Sequence, residues 1–186
     1  MVGASLGGTT GLVAAGEAGL TAISALVMVD VAPRLEIEGV TRIVDFMSAK
    51  PDGFESLEEA AEAVASYVAH RPRPPSIEGL RKNLRLGPDG RWRWHWDRRL
   101  MTGDKRPSAA SRDPERLSHA ARRLTIPTLL VRGKVSDVVS ADGVRHFLDL
   151  VPHARFVDVS GAGHMVAGDE NDAFTDAVVS FLEEIR

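Results

Sequence analysis

Three side chains in this sequence have the types and the order that nucleophilic catalysis needs. The first is Ser5, which lies between Gly3 and Gly7 in a Gly-x-Ser-x-Gly pattern. A serine hydroxyl becomes a nucleophile only when a neighbouring base removes its proton. The pattern is typical of a sharp strand-to-helix turn, in which a Cβ on either flanking glycine is expected to collide with nearby backbone. It therefore predicts that the Ser5 hydroxyl is presented at the end of a strand.

A histidine and an aspartate further along the chain are candidates for the base and for the acid that orients it. His164 follows a predicted strand in a glycine-rich loop, from which a base can reach across neighbouring strand ends. Asp137 follows another predicted strand, and we predict that it accepts the second N–H of the histidine ring. Asp30 ends a further predicted strand and is the alternative acid, although an aspartate in such a place is commonly a turn former or helix cap.

The remaining histidines are weaker candidates for a catalytic role. His95 lies among tryptophans, which indicates a packed side chain or one that lines a pocket. The others are predicted to be solvated side chains on helices or at helix ends; they are His70, His119, His146 and His153. His164 is therefore the histidine on which a catalytic prediction rests.

The composition sets limits on the function. With 44% hydrophobic and 26% charged residues, the 186-residue chain has the balance of a globular domain that buries a substantial core. A net charge of −3 creates no positive field that would attract nucleic acid or anionic lipid. The absence of cysteine excludes disulfides, thiol catalysis and cysteine-ligated metal. We expect a cytoplasmic protein with neither nucleic-acid nor membrane partners, and the oligomeric state is left open.

Short apolar runs predict the strands that place these side chains. Residues 25–29 and 128–131 are continuous apolar runs, typical of parallel strands buried on both faces, and 155–159 is a less apolar run expected near an edge. Apolar residues at helical spacing indicate helices after Ser140 and from residue 171 to the end of the chain. The alternation predicts an α/β fold with a mostly parallel sheet flanked by helices.

The middle of the chain is predicted to be a mostly helical cap inserted into this core. We place the cap at residues 35–123 and the core at residues 1–34 and 124–186. One helix is indicated between residues 37 and 47, and Ser56 opens a capping-box sequence that begins a second helix.

The second half of the cap contains an aromatic hairpin. A Gly-Pro-Asp-Gly turn at 87–90 leads into alternating tryptophan and polar residues, which indicates a hairpin arm with one apolar face. Residues 102–114 are predicted to be a loop. We predict that the tryptophans, among them Trp94, cover the substrate pocket and favour an apolar substrate.

Three segments of the sequence resemble the catalytic blocks of the bacterial α/β-hydrolase superfamily. They are Val-Gly-Ala-Ser-Leu-Gly-Gly at 2–8, Leu-Val-Arg-Gly running into Ser-Asp-Val-Val-Ser within 130–140, and Gly-Ala-Gly-His-Met-Val at 161–166. All three occur in the family's order of serine, acid and histidine, with a strand expected before each. The resemblance covers nearly the whole chain, and residues 35–123 correspond to the family's variable cap.

The resemblance implies a set of roles for these residues. Ser5 would be the nucleophile, Asp137 the acid and His164 the base, with no cofactor. The backbone N–H of Leu6, at the start of a helix, is predicted to be an oxyanion donor. Trp94 and Met165 complete the predicted binding residues.

The resemblance is weakest at the front of the chain. Members of the superfamily begin with several strands before the serine turn, including a His-Gly loop that supplies a second oxyanion donor. We therefore expect this chain to be a fragment of the fold with a sheet of about three strands.

The predicted function is that of a serine hydrolase that cleaves an ester, a lactone or a related acyl compound through an acyl-enzyme. One alternative is a non-catalytic remnant that binds a partner through an unpaired sheet edge. Another is a phosphate-binding module, which is disfavoured because no lysine follows the glycines as it does in a P-loop.

Overall fold

The apolar runs form a parallel sheet at the centre of the fold. In the computed structural model, which describes residues 1–74, 76–101 and 113–186, four strands pair in parallel in the order β1-β2-β5-β6. Their bounds are Val2–Ala4 for β1, Leu26–Val29 for β2, Thr128–Gly133 for β5 and Arg155–Val159 for β6. The predicted parallel sheet with flanking helices is thus confirmed, and β6 lies at an edge as expected. The prediction of three strands missed β1, which is only three residues long.

The register of the sheet brings the carboxyl ends of all four strands to one edge. Ala4 is paired with Val29, Val29 with Val131, and Val131 with Val157. Every residue of β2 is buried, because this strand lies between two others and has helices on its faces. Side chains that follow these strands therefore meet at the same edge of the sheet.

Helices of the predicted spacing flank this sheet. α1 (Leu6–Leu12) continues directly into a π-helical segment (Val13–Glu17). The later helices are α4 (Pro114–Arg122), α5 (Ala141–Leu150), α6 (Val166–Asp169) and α7 (Asn171–Glu184). Ser140 caps α5 as predicted, since its Oγ accepts a hydrogen bond from Gly143 N–H. Phe181 of α7 and Val166 of α6 pack with the strands in one buried cluster.

The chain divides into two compact units, Met1–Val40 with Arg112–Arg186 and Thr41–Ser111. The first unit contains α4, which the sequence placed in the cap. A close approach explains the difference, because a Cβ on Gly16 of the π-helical segment would lie 2.1 Å from the carbonyl oxygen of Ala120 in α4. Arg116 of α4 also forms an ion pair with Glu17. α4 is therefore packed within the first unit.

The second unit has its own core. It contains most of α2 (Ile37–Ser48), then α3 (Leu57–Tyr67) and the antiparallel strands β3 (Leu84–Leu86) and β4 (Trp92–Trp94). Short 3₁₀ helices occupy Glu78–Lys82 and Arg98–Met101. Phe54, Leu57, Ala60 and Leu84 form its buried cluster, with Trp92 and Trp94 packed against them.

Two local predictions in this unit, the helix cap at Ser56 and the hairpin, are confirmed. Ser56 caps α3, because its Oγ accepts from Glu59 N–H, and β3 and β4 form the predicted hairpin. The Glu59 carboxylate binds Glu55 N–H rather than closing the predicted box on Ser56. Most of the predicted loop at 102–114 lies outside the described residues. Among the helices that are described, none has both the length and the apolar character needed to cross a membrane.

Candidate active site

Ser5 lies at the predicted turn between a strand and a helix. β1 ends at Ala4 and α1 begins at Leu6, so Ser5 makes the whole connection. Its backbone angles are φ 47° and ψ −114°, a conformation that a residue with a side chain rarely adopts. The backbone N–H of Ser5 donates to Val29 O at 3.0 Å, which fixes the turn to the end of β2.

The glycines around Ser5 have unequal importance. A Cβ on Gly3 would lie 2.4 Å from the carbonyl carbon of Gly7, so no larger residue fits there. A Cβ on Gly8 would lie 2.6 Å from the Val31 side chain and 2.7 Å from Gly3 O. A Cβ on Gly7, however, would meet nothing within 4 Å. The expectation of a collision is therefore confirmed for Gly3 and wrong for Gly7, since the second close approach is at Gly8.

His164 is hydrogen-bonded to an aspartate. Its Nδ1 lies 2.7 Å from Oδ2 of Asp30, which follows β2 directly. Asp30 is completely buried and His164 is mostly buried, with 13% of its side chain exposed. A neutral imidazole that donates through Nδ1 has its lone pair on Nε2, which is the tautomer a general base requires. The pair therefore has the arrangement of a base oriented by an acid.

His164 is bonded to a different aspartate from the predicted Asp137. The ring of His164 is bonded to Asp30, which was the alternative acid. Asp137 is half-buried in the turn that follows β5, where its carbonyl group packs against Gly39 of α2. Asp30 lies near Ser5 because β2 lies beside β1, and the backbone turns sharply at Asp30, where φ is 47°. An aspartate adopts this left-handed conformation more readily than most residues.

Two further groups hold the Asp30 carboxylate. Gly133 N–H donates to Oδ1 at 3.1 Å, and Ser136 Oγ–H donates to Oδ2 at 2.6 Å. Both residues lie in the second of the three sequence motifs, and neither has a predicted role there. A signal for Asp30 did exist, because consecutive strands joined by a helix are usually neighbours in a parallel sheet. The residue that follows β2 is therefore expected beside Ser5.

The loop that carries His164 is held on both sides. Gly163 N–H donates to Oδ2 of Asp169 in α6 at 2.8 Å, and Val135 N–H donates to Ala162 O at 3.0 Å. A Cβ on Gly133 would lie 2.1 Å from Gly163 O, so the loop rests directly on the backbone at the end of β5. These contacts position the imidazole above the carboxyl end of the sheet.

The two atoms between which a proton would pass are the Ser5 hydroxyl oxygen and His164 Nε2. Within residues 1–74, 76–101 and 113–186, neither the Ser5 hydroxyl nor His164 Nε2 forms a hydrogen bond. Ser5 follows β1 and His164 pairs with the residue after β2, so both lie at the same edge of neighbouring strands. The hydrogen bond between a serine and its base is often long or poorly aligned without substrate. The arrangement is thus compatible with activation of Ser5 by His164.

The other predicted residues are distributed between the two units. Leu6 is the first residue of α1, so its N–H lacks a partner within the helix, and its side chain is 64% exposed. Met165 precedes α6 and is exposed. Trp94 belongs to the second unit, where its ring stacks on Trp96 with centroids 4.7 Å apart. His95 lies beside it and bonds to Leu84 O at 2.9 Å, as a packed residue of the hairpin.

His146 differs from the solvated side chain that was predicted. It is half-buried in α5, with Nε2 3.2 Å from Oγ of Ser118, which is buried in α4. Ser118 donates its own hydroxyl hydrogen to Pro114 O, so the imidazole N–H donates to Ser118. This second serine–histidine contact is a structural link between two helices, because the serine is 2% exposed and already donates to backbone.

Comparison with known proteins places this geometry among hydrolases. The 2-(acetamidomethylene)succinate hydrolase of Mesorhizobium japonicum is 27% identical over 98% of this chain and 63% of its own length. A crystal structure of E-2-(acetamidomethylene)succinate hydrolase superposes with a TM-score of 0.82 at 25% identity, over 98% of this chain and 65% of that one. An esterase from Mycobacterium tuberculosis superposes with a TM-score of 0.73 at 26% identity, over 98% of this chain and 59% of that one. The chain therefore spans about three fifths of each relative.

A family model extends the comparison to the sequence pattern. The model described as TAP-like protein, an α/β-hydrolase family, matches residues 91–186. These residues include the end of β5 that supports Asp30 and the loop that carries His164. Since the match spans more than half of the chain and the sheet superposes on solved α/β hydrolases, the chain belongs to the TAP-like family of the α/β-hydrolase superfamily.

Proposed function

We propose that this protein is a serine hydrolase that cleaves an ester, a lactone or a related acyl compound. Ser5 is the nucleophile, His164 the general base and Asp30 the acid that orients it. The observation that carries the proposal is the buried hydrogen bond from His164 Nδ1 to Asp30 at the strand edge where the strained Ser5 turn lies. The similarity to proteins named as hydrolases and as an esterase supports the same reaction class.

The proposed reaction has two stages. Ser5 Oγ attacks the substrate carbonyl carbon while its proton passes to His164 Nε2, and the ring becomes an imidazolium stabilised by Asp30. The tetrahedral intermediate then collapses, and the leaving alcohol takes the proton from His164. A water molecule attacks the acyl-enzyme by the same route, with His164 as base, and releases the acid while Ser5 regains its hydrogen.

The negative charge on the tetrahedral oxygen needs donors that are already in place. We assign one of them to the Leu6 N–H, which follows the nucleophile directly and begins α1. Peptide dipoles at the start of a helix favour negative charge there. Preorganised donors of this kind commonly contribute about 10²–10³ in turnover each.

The proposed substrate is apolar, as the composition of the second unit suggests. That unit holds a cavity of about 80 Å³ whose lining includes Met47, Phe54, Trp94 and Trp96. Its two cationic lining residues are already paired, Lys50 with Glu59 and Arg93 with Asp89. The cavity therefore suits an uncharged apolar group.

Covalent labelling with a fluorophosphonate probe, followed by intact-mass measurement, tests the proposed reaction. The probe phosphonylates an activated serine, so the wild-type chain is expected to gain one adduct that maps to Ser5. The Ser5→Ala variant should gain none, and His164→Ala should react much more slowly because no base remains. A folded wild-type protein that gains no adduct would rule out the serine mechanism in favour of a non-catalytic role.

A further inference from the structure

The carboxylate of Asp30 accepts three hydrogen bonds, and one of them comes from a hydroxyl group. His164 Nδ1 and Ser136 Oγ both bind Oδ2, at 2.7 Å and 2.6 Å, while Gly133 N–H binds Oδ1 at 3.1 Å. Because Asp30 is completely buried, these donors replace the water that would otherwise solvate its charge. Ser136 and the proposed base, His164, thus donate hydrogen bonds to the same oxygen atom of Asp30.

The Ser136 hydroxyl is itself fixed in orientation. Its Oγ accepts from Val138 N–H at 3.1 Å and from Val139 N–H at 3.4 Å. The backbone N–H of Ser136 donates to Gly133 O at 2.9 Å, which closes the turn after β5. With its oxygen occupied as an acceptor on one side, the hydroxyl hydrogen is directed at Asp30 Oδ2. A short bond to a charged acceptor is the stronger kind of hydrogen bond.

We propose that Ser136 is a positioning residue for catalysis, which acts through Asp30 on His164. This inference rests on the proposed function. The hydroxyl holds Oδ2 at the one place where it can accept from Nδ1, and so sets the direction in which Nε2 points. The sequence predicted that the turn after β5 supplies the acid, Asp137. In this proposal the same turn supplies Ser136, which orients Asp30 at the end of β2.

The Ser136→Ala substitution separates positioning from other roles. Without the hydroxyl, the carboxylate of Asp30 keeps two donors, Gly133 N–H on Oδ1 and His164 Nδ1 on Oδ2. Oδ2 is then held less firmly, so the imidazole loses part of its defined direction. With p-nitrophenyl acetate as substrate, kcat is expected to fall about tenfold or more while KM stays close to that of the wild type. Ser136→Thr keeps a hydroxyl on Cβ and is expected to restore most of the lost kcat.

Ser140→Ala is the matched control. Ser140 lies four residues further along the chain, and its Oγ also accepts from a backbone N–H, that of Gly143, but it does not contact Asp30. Its loss should lower the melting temperature without changing kcat. Equal losses of kcat in Ser136→Ala and Ser140→Ala, or no rescue by threonine, would overturn the positioning role.

A spectroscopic measurement tests the inference independently of turnover. The Nδ1 proton shared by His164 and Asp30 should give a strongly deshielded proton NMR resonance, which His164→Ala removes. Ser136→Ala is expected to shift or broaden this resonance, and Ser140→Ala to leave it in place. An unchanged resonance in Ser136→Ala would contradict the positioning role. Failure of the wild-type protein to react with the fluorophosphonate would instead contradict the proposed function, so the two failures can be told apart.

Discussion

Ser5 has a backbone conformation that its neighbours impose. Its φ of 47° lies in the left-handed region, and Gly3 allows the chain to pass at a distance that no Cβ tolerates. Conformations of this kind cost about 1–3 kcal/mol and persist only where the surrounding structure enforces them. The turn that carries Ser5, the proposed nucleophile, is therefore maintained at the expense of stability.

The two glycines that flank Ser5 should respond differently to the same substitution. Gly3→Ala forces a Cβ to 2.4 Å from backbone atoms and is expected to lower the free energy of unfolding by about 3 kcal/mol or more. Gly7→Ala places its Cβ in open space within a helix, where alanine is favoured over glycine by up to about 1 kcal/mol. Urea titration of both variants measures the difference. Equal destabilisation would contradict the close approach at Gly3.

The acid can be identified with a second pair of variants. Asp30→Asn removes the charge that stabilises the imidazolium, so kcat on p-nitrophenyl acetate is expected to fall by about 10³–10⁴. Asp137→Asn is the matched control and should keep kcat close to that of the wild type. Circular dichroism checks that both variants fold. A large loss of kcat in Asp137→Asn alone would return the acid to the position predicted from the sequence.

At the scale of the residue, the sequence singles out Ser5 and His164 and leaves Asp30 as the alternative to Asp137. Ser5 and His164 were identifiable because glycine patterns mark the sharp turn and the loop around them. Asp30 and Asp137 could not be separated in this way, since each follows a buried strand. Asp30 differs in that it follows β2 directly and has a left-handed backbone, a tertiary feature that the local sequence does not reveal.

The contact between α4 and α5 predicts a dependence of stability on pH. Burial lowers the pKa of His146 from its ordinary value of 6.5, and the positive charges of Arg34 and Arg122 lower it further. As the pH falls through the range below 6.5, the unfolded chain therefore takes up a proton more readily than the folded protein. The folded state loses stability in this range.

His146→Gln should reduce that loss, because glutamine does not titrate. The expected result is a smaller decrease in the free energy of unfolding between pH 7.5 and pH 5, measured by urea titration at each pH. His119→Gln, at an exposed position of α4, should keep the decrease seen in the wild type. If both variants retained the same pH dependence as the wild type, protonation of His146 would have no part in it.

The tryptophans of β4 also make a prediction at the scale of the element. Trp94 lines the cavity of the second unit, whereas Trp92 lies under the guanidinium of Arg81 at 4.9 Å from its ring centroid. Trp94→Ala is expected to lower kcat/KM for a p-nitrophenyl ester with a long acyl chain more than for the acetate. Trp92→Ala should not change kcat/KM for one of the two esters more than for the other. The ratio of kcat/KM for the two esters measures the effect, and a ratio unchanged in Trp94→Ala would count against an apolar substrate.

At the scale of the whole molecule, the sequence predicts the type and order of most helices and strands better than it predicts which unit each of them belongs to. The strands at 26–29 and 128–133 were recognisable as continuous apolar runs because both of their faces are covered. The place of α4 was not recognisable, since its helical pattern is the same in a cap as in a core. Its contact with Gly16 depends on a close approach between backbones far apart in sequence.

The order of the elements along the chain has a consequence for how such proteins diversify. Ser5 and Asp30 follow strands that are adjacent both in the sheet and in the chain, and residues 41–111 enter only after Asp30. Segments of other lengths and compositions can therefore be exchanged at that junction without altering the spacing between nucleophile and acid. Under the proposed function, recombination of the 41–111 segment is expected to change substrate selectivity while the spacing between Ser5 and Asp30 stays the same.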